Sequence, residues 1–417
     1  MRSHLTAFGV GAGLSLLAAG LFALIAPKLA SSTGDEDGVH IVNIGRGESG
    51  TFRIRDGRLD LEATWKGEFA FSADGRSLNA LKGELAVVSK TDGVERKAVF
   101  KKRDDEIVAT VNRDGAEIVA ENDAAQEAAD LLQLLSRSSG VNAQSRVKAM
   151  LSEGGKERVM TEIGALRGAH ATSAYVEELA NAASLSQTEV ASLLEKLRGL
   201  ESDYAKRNAL SALIRTQKLN EQSVAAALDV AGSIEADHEV RLIVEEISEN
   251  DLAGRMPSLA VDLIGKIEND HEVRLAIAAL LESDRVSGEA AARALALAAE
   301  RIEGDYELRL AVEAAGDRIK SPPVAAAALR AIEAIEGDHD RRLAIEELAG
   351  RIGPEAEFWP AVINAAASVG GDYERRLAIE AVASSAPQRE DLRAALQKAA
   401  ETISSDHERR LAFEAID

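Results

Sequence analysis

The 417-residue chain has no cysteine. Disulfides, thiolate zinc sites, iron–sulfur clusters and cysteine nucleophiles are therefore excluded. Aromatic residues make up only 3% of it, while 46% is hydrophobic and alanine and leucine dominate. A core of that kind suits closely packed helices better than a large β-protein. Basic residues are outnumbered: the formal net charge is −21. Phosphate backbones are repelled by such a surface, so no nucleic-acid partner is expected. No Gly-x-Ser-x-Gly elbow and no Walker loop occur, and Gly9, Gly11 and Gly13 lie in an apolar run with no strand before them. These absences point away from the common hydrolase and nucleotide-binding classes.

One apolar stretch is long. Leu5 to Ala26 carries no charge, with Arg2 before it and Lys28 and Asp35-Glu36-Asp37 after it. At about 1.5 Å per helical residue such a run spans a ~30 Å hydrocarbon layer. Cleavage after Ala30 would leave Lys28 at −3, and cleavage after Ala26 would leave Leu24 there. Both are poor signal-peptidase sites, which favours an uncleaved anchor over a secreted, soluble product. The positive start implies a cytoplasmic N-terminus and an exported bulk. We expect a single-pass protein of the bacterial inner membrane with most of the chain in the periplasm; the alternative is a cleaved signal peptide and a soluble periplasmic protein.

Beyond a linker at 31–38, hydrophobic residues alternate with polar ones, as in Thr51-Phe52-Arg53-Ile54-Arg55 and Leu59-Asp60-Leu61-Glu62-Ala63. Asp56-Gly57, Asp74-Gly75, Asp92-Gly93 and Asp114-Gly115 punctuate these runs, and Asp-Gly accepts the positive φ of tight hairpins. Residues 39–121 are expected to form six to eight antiparallel strands, as a meander or small sandwich. Lys101-Lys102-Arg103-Asp104-Asp105 reads as a solvated hairpin turn.

From about 122 the pattern becomes helical, and a repeat dominates it. Asp203, Asp237, Asp270, Asp305, Asp338, Asp372 and Asp406 open seven similar segments spaced 34, 33, 35, 33, 34 and 34 residues apart. A degenerate eighth copy sits near Ala169-His170. The Asp is read as an N-cap. The Arg four residues on is read as its partner across one turn. Leu242, Val244 and their equivalents are read as facing inward. Ile234, Ile267, Ile302, Ile335, Val369 and Ile403, three residues before each Asp, close the preceding helix. Prolines 257, 322, 323, 354, 360 and 387 fall between units. Each unit is thus helix, turn, helix, and stacking buries a face that one unit cannot bury alone. The expected fold class is α+β: a membrane helix (1–30), an antiparallel β module (39–121), a helical connector (122–200) and an α-helical solenoid of seven HEAT- or TPR-like repeats (201–417).

His238, His271 and His407 stand in His-Glu-x-x-Leu, one residue short of the zincin motif, and His339 is followed by Asp340. Tyr204, Tyr306 and Tyr373 take the same place in other copies, which favours a planar packing residue over a metal ligand or pH sensor. No catalytic residue, metal site or cofactor is expected. Three residues after each Asp runs a gradient: Lys206, then Val240, Val273 and Leu308, then Arg341, Arg375 and Arg409. If this stripe faces outward it would bind a partner with hydrophobic and acidic parts. Leu411, Phe413 and Ile416 lie near an uncapped end and are candidates for self-association.

Trp65-Lys66-Gly67-Glu68-Phe69, Arg146-Val147-Lys148-Ala149-Met150-Leu151, Gly154-Gly155, Glu162-Ile163 and Ser202-Asp203-Tyr204 together resemble the extracytoplasmic C-terminal region of bacterial membrane antirepressor metallopeptidases of the β-lactam-sensor class, and stand-alone bacterial relatives of it. The similar stretch runs from Trp65 to Asp417. The peptidase part has no counterpart here: there is no His-Glu-x-x-His. The resemblance implies an extracytoplasmic location and a scaffold- or sensor-like role without peptidase activity. The leading expectation is a membrane-anchored scaffold that binds a protein or peptide through the solenoid. An envelope sensor or signalling accessory, and a hydrolase with an unrecognised site, are the alternatives; a pocket with convergent carboxylates and a coupled histidine would favour the last.

Overall fold

The computed structural model describes residues 38–40, 49–56, 59–354 and 356–417. The expected membrane segment, Leu5 to Ala26, lies outside them. Among the described residues no helix is long and apolar enough to cross a membrane. The chain is α+β, a small antiparallel sheet followed by a helical repeat array.

Seven strands form one antiparallel sheet: β1 (Gly38–His40), β2 (Ser49–Asp56), β3 (Leu59–Lys66), β6 (Glu84–Thr91), β7 (Val94–Arg103), β8 (Glu106–Arg113) and β9 (Ala116–Glu117). The hairpin β4 (Phe69–Phe71) and β5 (Leu78–Leu81) is inserted between β3 and β6. The sheet is a meander, as the turn signals imply. Asp92 and Gly93 take φ 50° and 84°, and Asp114 and Gly115 take 50° and 82°. Asp104 and Asp105 turn at φ 48° and 69°, which places the expected solvated hairpin.

The second, two-stranded sheet, β4–β5, adds Phe69, Phe71 and Leu81 to the core of the first. Phe52, Ile54, Leu61, Leu85, Val87, Phe100 and Val111 share one apolar face, because alternate residues of a strand point the same way. Leu131, Leu132 and Leu135 of helix α1 (Glu121–Ser139) cover it. The meander is thus covered by α1 with the β4–β5 hairpin beside it, and α1 completes the β core rather than serving as a connector.

Beyond α2 (Ala143–Ala165) the helices stack in two layers. The second helices of the units are α5 (Asp203–Thr216), α7 (Asp237–Glu249), α10 (Asp270–Glu282), α12 (Asp305–Ala314), α14 (Asp338–Arg351), α16 (Asp372–Ser385) and α18 (Asp406–Ile416). Each packs on the next, and α3 (Ala169–Ala182) packs on α5 in the same way, where the degenerate copy was read. The first helices form the other layer: α4 (Gln187–Arg198), α6 (Glu221–Ala231), α9 (Pro257–Ile264), α11 (Gly288–Arg301), α13 (Pro322–Ala334), α15 (Trp359–Ala367) and α17 (Glu390–Ala400). A short helix, α8 (Leu252–Arg255), and a 3-10 turn at Gly316–Lys320 bridge two of the units. Pro257 and Pro322 stand at the first position of their helices, where a missing amide costs little.

The inward face of the second helices differs from the sequence reading. In α7 the buried apolar residues are Val240, Ile243, Val244 and Ile247, a 3-1-3 spacing that makes one stripe. Leu242 is only half-buried, as are Leu275, Leu310, Leu343, Leu377 and Leu411. Ile234, Ile267, Ile302, Ile335, Val369 and Ile403 are buried as expected, Ile267, Val369 and Ile403 completely.

Candidate interaction surface

The repeat motif holds unit to unit. Asp is the first helical residue and does not cap its own helix. The cap positions are Ser202, Ala236, Asn269, Gly304, Gly337, Gly371 and Ser405. The aspartate reaches the following unit instead. Asp203 Oδ2 accepts from the Glu235 and Ala236 amides at 3.0 and 2.9 Å. Asp338 accepts from Gly370 and Gly371 at 2.6 and 2.7 Å, and Asp372 from Ser404 and Ser405 at 3.1 and 2.8 Å. Asp237, Asp270 and Asp305 do the same. These amides belong to the turn leading into the next second helix, whose first donors have no partner within the helix. The two amides hold the Asp372 carboxyl below the usual carboxylate range.

The expected Asp–Arg pair within each copy is likewise overturned. The arginine pairs with the acid of the next copy: Arg207 with Glu239 at 2.6 Å, Arg241 with Glu272 at 2.5 Å, Arg274 with Glu307 at 2.8 Å, Arg309 with Asp340 at 2.7 Å and Arg376 with Glu408 at 2.5 Å. Arg342 pairs with Glu374 in the same way. Four of these arginines also hold a carboxylate one turn further along their own helix: Arg241 with Glu245, Arg309 with Glu313, Arg342 with Glu346 and Arg376 with Glu380. The result is a ladder of charge running across the second helices. Burial pushes the Glu307 carboxyl up, but Arg274 and His271 outweigh it and hold the group below its ordinary value.

The expected packing between repeats divides by residue type: His238, His271 and His339 lie 3.6, 3.2 and 3.6 Å from Glu272, Glu307 and Glu374 of the next unit, whereas the tyrosines stack on the arginine of their own helix. Tyr204, Tyr306 and Tyr373 are 52%, 55% and 55% exposed. The guanidinium of Arg207, Arg309 or Arg376 lies 5.0, 5.0 or 5.1 Å from the ring centre. His238 Nδ1 accepts from Arg241 Nη2 at 3.1 Å, and His339 Nδ1 from Arg342 Nη2 at 3.4 Å. His271 Nδ1 lies 3.2 Å from both Arg274 Nη2 and Glu307 Oε1. Histidine and tyrosine interchange because either side chain meets the arginine three residues on, the tyrosine with its ring face and the histidine through Nδ1. Among the described residues no group of three or more His, Asp or Glu could hold a metal ion.

The stripe read as a partner site turns inward. Val240, Val273 and Leu308 are 2%, 1% and 2% exposed. Lys206, Arg341 and Arg375 donate to the next turn of the array, and Arg375 and Arg409 to the turn before their own helix. Lys206 Nζ bonds Ser233 O at 2.9 Å, and Arg341 Nη2 bonds Ser368 Oγ at 2.9 Å. Arg375 bonds Val369 O at 2.6 Å and Thr402 O at 2.6 Å. Arg409 bonds Ile403 O at 2.9 Å. The premise of an outward stripe is thus overturned: the apolar members are buried, and Lys206, Arg341 and Arg375 fasten one unit to the next. Leu411, Phe413 and Ile416 are half-buried on α18, and Phe413 and Ile416 pack against the repeat core.

Two features escaped the sequence reading. Arg146 is completely buried where the sheet module meets the array. It donates to Ala73 O at 3.0 Å, to Glu162 Oε1 at 2.9 Å and to the Tyr175 hydroxyl. Arg137 holds the other Glu162 oxygen at 2.8 Å. Burial pushes the Tyr175 hydroxyl up to about 12. The second is a cleft of ≈ 580 Å³ between the β4–β5 hairpin and the turn after α1, lined by Trp65, Phe69, Ala80, Lys82, Val141 and Asn142 among others. Its one carboxylate, Glu68, is paired with Lys82 at 2.9 Å, and no histidine lines it. The cleft brings together neither convergent carboxylates nor a carboxylate with a histidine. No protein-family model and no curated protein matches the chain.

Proposed function

We propose that the chain is a membrane-anchored, extracytoplasmic scaffold, an α-solenoid that binds a protein or peptide across its second helices and carries out no catalysis. The observation that carries this reading is the exposed row of rings. The Asp and Arg positions of the motif are occupied in fastening unit to unit, while Tyr204, His238, His271, Tyr306, His339, Tyr373 and His407 are exposed to solvent. Exposed aromatic residues repeated at one position of a stacked array are a feature of surfaces that meet another molecule. The resemblance to the extracytoplasmic part of antirepressor metallopeptidases supports the location, as does the apolar run from Leu5 to Ala26. Affinity purification of the full chain from cross-linked membranes tests the reading. A partner recovered in near-stoichiometric amount is expected; recovery of the chain alone after efficient cross-linking would contradict it.

A further inference from the structure

The rings share their face with two other rows. On a helix, residues separated by four and by seven lie on one side. Four residues beyond every ring but Tyr204 comes a half-buried leucine: Leu242, Leu275, Leu310, Leu343, Leu377 and Leu411. Seven beyond it, in five of the units, stands a glutamate: Glu245, Glu313, Glu346 and Glu380, whose side chains are between 27% and 35% exposed, and Glu414 in the last. Ring, leucine and glutamate therefore form three parallel rows across the second helices.

The charge on this face is unbalanced. Arg241, Arg309, Arg342 and Arg376 each meet two carboxylates, one on their own helix and one from the next unit. One cation against two anions leaves a negative charge over in each. The other cations of the motif do not restore balance, since Arg341 and Arg375 are turned to Ser368 Oγ and to the carbonyls of Val369 and Thr402. The tyrosine rings hold their own arginine on one side and stay half-open to solvent. An open aromatic face attracts a cation.

The geometry points to a docking surface for a basic amphipathic segment of a partner protein. Its apolar residues lie along the leucine row, and its lysines and arginines reach the glutamate row and the open ring faces. Packed helices sit about 8–10 Å apart, so the four steps from α7 to α16 span roughly 36 Å. About 11 residues cover that distance when extended, and about 24 when helical. This surface rests on the scaffold reading and gives the partner its chemistry.

The test uses the full chain in nanodiscs of neutral lipid, with the signal from empty discs subtracted. The probe is a fluorescent 24-residue Lys/Leu peptide of helical period, compared by anisotropy with Lys/Ser and Glu/Leu peptides of the same length. Two triple variants are compared with the native chain: Glu313→Gln, Glu346→Gln, Glu380→Gln on the face, and Glu289→Gln, Glu300→Gln, Glu333→Gln at exposed positions of the first helices. The native chain should bind the Lys/Leu peptide at least ten-fold more tightly than the Lys/Ser peptide and should not bind the Glu/Leu peptide. The face variant should lose at least ten-fold in affinity with an unchanged circular dichroism spectrum, and the control variant less than two-fold. Equal losses in the two variants would reduce the effect to bulk charge attraction and overturn the proposal. So would a face variant that binds normally, or a native chain that binds no peptide. A membrane partner still recovered by the face variant would remove this surface while leaving the scaffold reading in place; a native chain that recovers none would remove that reading itself.

Discussion

At the scale of the residue, the motif aspartate illustrates how a correct residue can be given the wrong partner. Asp at a helix start, followed after four residues by Arg, satisfies the rules for a cap and for a one-turn ion pair. The same residues also meet their counterparts about 32 positions away once the units stack. Sequence spacing carries no sign that tells the two neighbours apart. Asp338 accepts two amides of the next unit, whereas Asp406 meets only Arg409, with its side chain 93% exposed. Asp338→Ala should therefore lower stability by about 1–2 kcal/mol, the scale of losing a cap together with a charge-assisted bond. Asp406→Ala in the same 417-residue chain should leave the urea midpoint unchanged. Equal effects would restore the capping role.

Glu246 supplies a second prediction at this scale. Burial pushes its carboxyl above the ordinary value, against the pull of Arg215 and the Asn250 side chain. A folded-state pKa raised above the unfolded one means stability that is fully present below the unfolded pKa and lost as pH rises through the folded value. Glu246→Gln removes that loss and should raise the urea midpoint at pH 7. The gain should vanish below the ordinary value of 4.5. A glutamine variant less stable than the native chain at pH 7 would contradict the assignment.

At the scale of the element, α2 departs from a continuous helix. Gly155 within it has φ 64° and ψ −163°, which breaks the run into two pieces. The glycine pair at 154–155 was visible in the sequence, but a glycine pair in a helical pattern does not say which way the chain bends. Positive φ with ψ near 180° belongs to glycine alone. Gly155→Ala should cost about 1–3 kcal/mol, by the typical strain of such a conformation. Differential scanning calorimetry would show it, and an unchanged melting temperature would mean that α2 straightens without penalty. The strands were more legible. Asp-Gly turns and period-two alternation locate most of the meander, because hairpin geometry is local. What covers the sheet was not legible, since Leu131, Leu132 and Leu135 form an ordinary apolar stripe of a helix that could have packed anywhere.

At the scale of the whole molecule, the period of the repeats was plain in the sequence, and the two-layer array follows from it. The faces of the array were not. The gradient from Lys206 through Val240, Val273 and Leu308 to Arg409 looked like a surface feature because it mixes apolar and basic residues. Yet an arginine that donates to backbone carbonyls occupies a covered position as readily as a valine does. The joint between sheet and array was also hidden, as Arg146, Glu162, Tyr175 and Ala73 are brought together only by folding. Arg146→Met should expose that joint. The variant removes the bonds to Ala73 O and Tyr175 and leaves Glu162 with Arg137 alone. Breaking a buried ion pair by taking one partner costs about 3–5 kcal/mol. Amide exchange should accelerate in β4, β5 and the turn between them while the units from α7 onward keep their protection. Uniform acceleration along the chain would show that the joint does not act locally.

The central claim is that the second-helix face, with its open rings, meets the partner. The most direct measurement places a photoreactive phenylalanine analogue at Tyr306 or Tyr373, and as a contrast at Leu259, an exposed residue of the first-helix layer. The chain is irradiated in intact cells and adducts are resolved by mass. Discrete adducts to one partner from the two tyrosine positions and none from Leu259 are the predicted result. Adducts from Leu259 alone, or none from either tyrosine position in cells where the partner is recovered with the chain, would contradict it.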